Sequence, residues 1–256
     1  MTGRKRLFFP VLLQKTGGMR TLLALLFPLL LTGCPSGKSP APDQPSAKAS
    51  PTPGSALNSP TDFPGVWATT DEQGQVFDII IFPNGQAVTN WTKGTEGARG
   101  ERGLWRQESG RLIAMYDDGW TDILEATADG VAHKGFSPGS SLSGSPNNQA
   151  PANRLEGPQA PFVGIWRMNK EPDGSYQYIA LQSSGRAFST INGGTEGKWE
   201  HSEKGALCTW PDGWVDLIER TPEGWQKRSW VGAESNTTAD LSAATRVGEI
   251  RFQITP

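Results

Sequence analysis

The sequence is poor in the residues that usually carry chemistry. Of 256 residues, two are cysteine, Cys34 and Cys208, and two are histidine, His133 and His201. Neither pair has the short spacing of a metal-ligand cluster. There is no excess of positive charge: 24 Lys and Arg stand against 26 Asp and Glu, for a net charge of −2. Without a basic stripe, the chain is a poor binder of nucleic acid. No stretch keeps a helical apolar period for more than about ten residues, which argues against a helical fold. No apolar run is long enough to span a bilayer, which takes about 20 residues as a helix. The longest, "TLLALLFPLLL" (Thr21 to Leu31), has 11.

That run has the length of the apolar core of a signal peptide. Arg20 precedes it, and Met19 makes a cleaner start than Met1. It ends in "LTGC", Leu31 to Cys34, which resembles the lipobox of bacterial lipoproteins. The resemblance covers residues 1–33 as signal and Cys34 as the modified residue. It implies diacylglycerol on the Cys34 sulfur, cleavage before Cys34, and a chain held to the lipid bilayer by its acyl groups on the extracytoplasmic side. Each buried acyl carbon is worth roughly 0.8 kcal/mol, so two or three chains anchor firmly. Pro35 and Ser36 follow the cysteine, with no Asp there; by the same resemblance this favours an outer-membrane or surface location where an outer membrane exists. Removing 1–33 takes away Arg4, Lys5, Arg6, Lys15 and Arg20 and no acid. The remainder carries 24 − 5 = 19 basic against 26 acidic residues, or −7. Cys208 is then the last cysteine besides Cys34, which leaves no intramolecular disulfide.

Residues 34–62 are rich in Pro, Ser, Ala and Gly and contain no aromatic residue before Phe63. Such a segment buries too little apolar surface to offset its ordering entropy, and it reads as a disordered tether. The rest is an internal duplication, with copies at 63–157 and 158–256. "FPGVW" (Phe63 to Trp67) matches "FVGIW" (Phe162 to Trp166). "GTEG" occurs at Gly94 and again at Gly194, and "YDDGWTDILE" from Tyr116 matches "WPDGWVDLIE" from Trp210. Each copy of about 95 residues suffices for one small domain.

Within each copy, short β-branched and aromatic runs are cut by Gly-containing turns. About seven strands per copy are expected, in an antiparallel meander closed or nearly closed to hide its edges. The fold class is therefore all-β, with two tandem barrel-like domains after the tether. The openings Gly65-Val66-Trp67 and Gly164-Ile165-Trp166 are similar to the Gly-x-Trp of lipocalins; that resemblance implies a barrel shape and nothing about a ligand.

The repeated Asp-Gly-Trp segments fit turn chemistry. Asp117-Asp118-Gly119 and Pro211-Asp212-Gly213 suit a type I turn closed by a left-handed glycine. What the turn leaves unexplained is the Trp-x-Asp that follows. Trp120 and Asp122, and likewise Trp214 and Asp216, share one strand face. Either the tryptophans are core and the aspartates bond a loop or pair with Arg154 and Arg246, or the four form a polar-aromatic ligand surface. A calcium loop is excluded by spacing. "GFSPG" (Gly135 to Gly139) mimics a nucleophile elbow, but Pro138 lacks the N–H an oxyanion would need, and no helix follows. His133 aligns with Lys227 and His201 with Gln107, so no histidine site is duplicated; both are expected on the surface. Cys208 aligns with Ala114, a small buried position.

Ten tryptophans are present. Trp67/Trp166, Trp105/Trp199 and Trp120/Trp214 recur between copies and are expected in the cores. Trp91, Trp210, Trp225 and Trp230 do not recur, and Trp225 and Trp230 are the expected stacking sites for a glycan. No enzyme, cofactor or metal site emerges. The expected role is a binding or interaction module of the cell envelope that meets a glycan, a peptidoglycan fragment or an envelope protein. The alternatives are a structural or assembly lipoprotein, or an inhibitor of a wall-degrading enzyme that uses the long loop "SPGSSLSGSPNNQAP".

Overall fold

A computed structural model describes residues 63–91, 98–170, 174–232 and 238–249. The signal, the lipobox with Cys34, the tether and the first "GTEG" lie outside them. Among the described residues, no helix is long and apolar enough to cross a membrane.

Each copy forms a closed antiparallel barrel of eight strands in up-and-down order. The first comprises β1 (Gly65–Thr70), β2 (Val76–Ile81), β3 (Gln86–Thr89), β4 (Glu101–Glu108), β5 (Arg111–Tyr116), β6 (Thr121–Thr127), β7 (Gly130–Phe136) and β8 (Asn148–Arg154). The second comprises β9 (Gly164–Lys170), β10 (Tyr176–Leu181), β11 (Arg186–Ser189), β12 (Thr195–Ser202), β13 (Gly205–Thr209), β14 (Trp214–Thr221), β15 (Gly224–Val231) and β16 (Asp240–Arg246). Closure comes from β1 on β8, where Trp67 pairs with Arg154, and from β9 on β16, where Trp166 pairs with Arg246.

The strand count per copy is eight, one more than the sequence suggests. The missed strand in the first copy is β8, "NQAPANR", which contains Pro151 and no β-branched or aromatic residue. Its neighbours impose the strand: β7 pairs along its length, and the Pro151 carbonyl accepts from Thr69 Oγ1 at 3.0 Å. The long loop is correspondingly shorter. It is tied down where Asn147 Oδ1 accepts from Ser137 N at 2.8 Å, and Leu142 packs against Ile113, Ile123 and Phe136.

Inward residues alternate along the strands, as the pleat requires. In the first barrel Trp67, Phe77, Ile79, Leu112, Ala114 and Leu124 share one core. The recurring tryptophans hold the same places in both copies. Trp67 Nε1 donates to Phe63 O (2.8 Å), as Trp166 does to Phe162 O (2.7 Å). Trp105 Nε1 donates to Phe82 O (2.8 Å), as Trp199 does to Gln182 O (2.7 Å). Cys208 and Ala114 are both fully buried, and burial pushes the Cys208 thiol well up, away from nucleophile chemistry.

The two barrels pack through equivalent outer faces. Val66, Ile80 and Val88 of the first join Ile165, Ala180 and Val247 of the second in one apolar cluster. A polar group sits within this seam. Asp78, 0% exposed, takes Asn90 Nδ2 at 2.8 Å and Ser183 N at 2.9 Å on its Oδ2. Asn90 Nδ2 also donates to Leu181 O at 2.9 Å, and Gln182 Nε2 donates to Asn90 O at 3.2 Å. Asp78 Oδ1 is buried without a hydrogen-bond partner, and burial raises the Asp78 carboxyl above its ordinary range.

Candidate functional site

The turns that precede Trp120 and Trp214 have the expected geometry in both copies. Gly119 N donates to Tyr116 O and Gly213 N to Trp210 O, each at 3.0 Å. Gly119 and Gly213 take φ of 89° and 86°, which a side chain resists. Asp118 Oδ1 accepts from Trp120 N at 3.0 Å and Asp212 Oδ1 from Trp214 N at 3.3 Å. The aspartates of the turns are thus accounted for by local bonds.

The aspartates after the turns do not pair with arginines. Arg154 donates instead to Pro64 O and Arg246 to Val163 O. In the first barrel, Asp122 Oδ1 lies 2.8 Å from His133 Nε2, and Tyr116 donates its hydroxyl to Asp122 Oδ2 at 3.0 Å. His133 is 1% exposed, which corrects its expected surface position; His201 is exposed as expected. The register explains the contact. Asp122 pairs with Gly135, so His133 is its diagonal neighbour on the same inward face. Burial, and then the Asp122 carboxylate, push the Tyr116 hydroxyl well above its usual range, so it keeps its proton and donates. His133 Nδ1 has no partner among the described residues.

The second barrel fills the equivalent places differently. Asp216 Oδ2 accepts from the indole Nε1 of Trp210 at 2.9 Å, where the first barrel has Tyr116. Asp216 Oδ1 lies 3.3 Å from Lys227 Nζ, where the first has His133. Lys227 Nζ also donates to Ser229 Oγ at 2.7 Å, where the first has Gly135. Asp216, Lys227 and Ser229 are all buried. The carboxylate there is neutralised from within its own barrel.

At the first barrel's end the same region opens into a cavity of about 280 Å³. Asp71, Glu72 and Gln73 after β1, Trp91 just past β3, and Asp118 and Trp120 after β5 reach it. Buried Phe77, Tyr116, Asp122 and His133 line its inner part, and half-buried Trp91 and Trp120 its mouth, their ring centroids 6.0 Å apart at 53°. Trp91 Nε1 donates to Asp71 Oδ2 at 3.3 Å. Asp71, Glu72, Glu101, Asp118 and Asp122 are on the lining, and no Lys or Arg among the described residues is.

The structure therefore brings Trp120 and Asp122 together in one concavity and adds Trp91, Tyr116 and His133 to them. Trp214 and Asp216 hold the corresponding places in the second barrel, with Asp216 enclosed. Trp225 and Trp230 do not form an exposed stacking surface. Trp230 is 6% exposed, and Trp225 sets its ring against Trp166 at 4.8 Å and 69°. Strand alternation puts Trp225 on the inward face with Lys227 and Ser229, and Trp230 on the opposite face, where it is buried with Arg228 over its ring at 5.8 Å. Ser137 of the "GFSPG" segment lies in a turn and bonds Ser140 Oγ at 2.9 Å. Among the described residues, no cluster of His, Cys, Asp and Glu is arranged to hold a metal ion.

Fold and site together define a two-barrel all-β protein with an acidic, aromatic-lined mouth at one barrel end. No family model matches the chain, and comparison with curated proteins and with solved structures finds no match.

Proposed function

We propose that the protein is a membrane-tethered binding module of the cell envelope, held by acyl chains on Cys34, with the mouth of the first barrel as its ligand site. One observation carries this reading: a cavity of about 280 Å³ whose buried wall includes a polar atom, His133 Nδ1, without a partner among the described residues. Ligand sites are concave and largely apolar, with a few convergent polar groups. Tyr116 and His133 hold Asp122, Asp118 shapes the turn, and Trp91 and Trp120 offer the contact area.

Nothing in this arrangement resembles an activated nucleophile, so the reading is non-catalytic. The inhibitor alternative draws no support from the 137–147 loop, which folds back through Asn147 and Leu142 rather than projecting.

Two measurements test the proposal. Replacing Cys34 with Ser is expected to shift the protein from the membrane to the soluble fraction; retention in the membrane overturns the tether. Indole N–H signals of the purified full chain, observed by NMR during titration with small-molecule mixtures, are expected to move at Trp91 and Trp120. Mixtures that leave both unmoved overturn the ligand site.

A further inference from the structure

We infer that the ligand of the first barrel is a neutral ring compound with one hydroxyl group at its inner end, and that this hydroxyl donates its hydrogen to His133 Nδ1. This rests on the mouth being a ligand site and specifies what it takes.

The polar groups of the cavity supply the first argument. Among the described residues, the buried side-chain polar atoms without a partner are Asp78 Oδ1, Arg111 Nε, Arg246 Nε and His133 Nδ1, and of these residues only His133 lies on this cavity. Asp71, Asp118 and Asp122 already accept hydrogen bonds from within the chain, Glu101 is engaged there too, and Glu72 is exposed to water. No lining carboxylate therefore calls for a charge on the ligand. Asp122 Oδ2 accepts the Tyr116 hydroxyl at 3.0 Å, and Asp122 Oδ1 lies 2.8 Å from His133 Nε2. A carboxylate has no hydrogen to give, so Nε2 carries it, and the neutral imidazole presents Nδ1 as an acceptor. A second proton there would bury an N–H with nothing to receive it. What Nδ1 lacks is a donor, and an anion or an ether has none to offer.

The duplication identifies that donor. Lys227 stands in the second barrel where His133 stands in the first, and its Nζ lies 2.7 Å from the hydroxyl of Ser229. The place of Ser229 is taken in the first barrel by Gly135, since Asp216 pairs with the one and Asp122 with the other. The hydroxyl is gone and the space is kept. A Cβ at Gly135 would meet Asp122 Oδ1 at 3.5 Å and His133 Cε1 at 3.6 Å, both ordinary contacts. A hydroxyl from outside the chain fills the place that Ser229 fills from within. The cavity sets the size and character of what carries it. Phe77 and Trp120 give its wall ring surface. An apolar cavity of about 150 Å³ holds benzene, so one of about 280 Å³ admits a substituted ring.

The test uses the full chain and two pairs of probes: phenol with anisole, and cyclohexanol with methoxycyclohexane. Each pair keeps the ring and replaces the O–H by a methyl ether. At least one alcohol is expected to shift the Trp120 indole signal and the ring-nitrogen signal of His133 in NMR titration, and to bind about tenfold more tightly than its ether. Gly135→Ser restores the hydroxyl from within and is expected to abolish that preference. Gly135→Ala adds the Cβ without the hydroxyl and is expected to lose less. Should either variant misfold, the alcohol-to-ether ratio and the His133 nitrogen signal of the unaltered chain still decide the matter. Equal binding of alcohol and ether at Trp120, or an unmoved His133 nitrogen, overturns the donor assignment and leaves the ligand site standing. Silence of both alcohols overturns the assignment; silence of the broader mixtures as well removes the site itself.

Discussion

Asp122 and Asp216 occupy equivalent inward positions on β6 and β14, and both are buried. Around Asp216 the barrel closes on itself, with an indole N–H, an ammonium and a hydroxyl supplied by Trp210, Lys227 and Ser229. Around Asp122 the partners are smaller, Tyr116 and His133, and space remains. The same backbone therefore supports a satisfied polar core in one copy and a hollow in the other. What separates them is three side chains and not topology. A buried carboxylate needs its charge answered; Lys227 and Trp210 do so for Asp216, and His133 and Tyr116 for Asp122, with a cavity beside them.

The comparison can be broken most forcefully in the second barrel. Lys227→Met leaves Asp216 buried without its cation and is expected to cost about 3–5 kcal/mol of stability, measured by denaturant unfolding. The double variant Lys227→Met with Asp216→Leu should recover most of the loss, because the uncompensated charge is gone. A milder pair of changes compares the donors to the two aspartates. Trp210→Phe removes an indole N–H and buried volume, at an expected cost of about 2–3 kcal/mol. Tyr116→Phe removes only a hydroxyl beside an open cavity that can admit water, and about 1–2 kcal/mol is expected. Equal costs would mean that the two ends are not differently packed.

The hairpin glycines sharpen the comparison on a smaller scale. Gly119→Ala and Gly213→Ala both force a side chain into φ near +90°, for about 1 kcal/mol in thermal or denaturant unfolding. Gly119→Ala is expected to cost more, because its Cβ would meet Pro138 at 3.1 Å while at Gly213 nothing lies near. The smallest expected change is one of slope. Among the described residues no cation pairs with Asp78 in the seam, and burial raises its carboxyl. Its folded form thus holds a proton that the unfolded form releases. The stability it contributes is complete below the unfolded value, about pH 4, and is lost as pH rises through the folded value. Asp78→Asn should flatten that decline, seen as a shallower fall of unfolding free energy between pH 4 and the alkaline side.

Much of the architecture was legible because it is written in local chemistry. Gly119 and Gly213 mark their turns, and the Gly-x-Trp openings and repeated segments mark the copies. β8 was not legible, since Asn148–Arg154 has no strand-forming composition and exists because a barrel must close on something. At the site, Trp120 and Asp122 stood out through their repetition, and the structure places both on the cavity. His133 was misplaced on the surface because a lone histidine carries no mark of its partner. A usable signal was present: positions 133 and 227 hold a titratable residue in both copies, on the strand facing an inward aspartate. Trp225 and Trp230 misled for the opposite reason. Lack of a counterpart in the other copy says nothing about exposure: Trp225 packs inward against Trp166, and Trp230 is buried on the opposite strand face.

Carrying both barrels on one chain has an effect that packing alone does not describe. A homodimer joined through the same outer faces would be isologous, and every residue would occur in both subunits. A lysine at the place of Lys227 would then shut both ends together. Separate encoding releases that symmetry, so one copy can hold Lys227 and Ser229 while its neighbour holds His133 and Gly135. The shared apolar seam and the Asp78–Asn90–Ser183 contacts then join a barrel whose mouth opens on a cavity to one whose aspartate is enclosed.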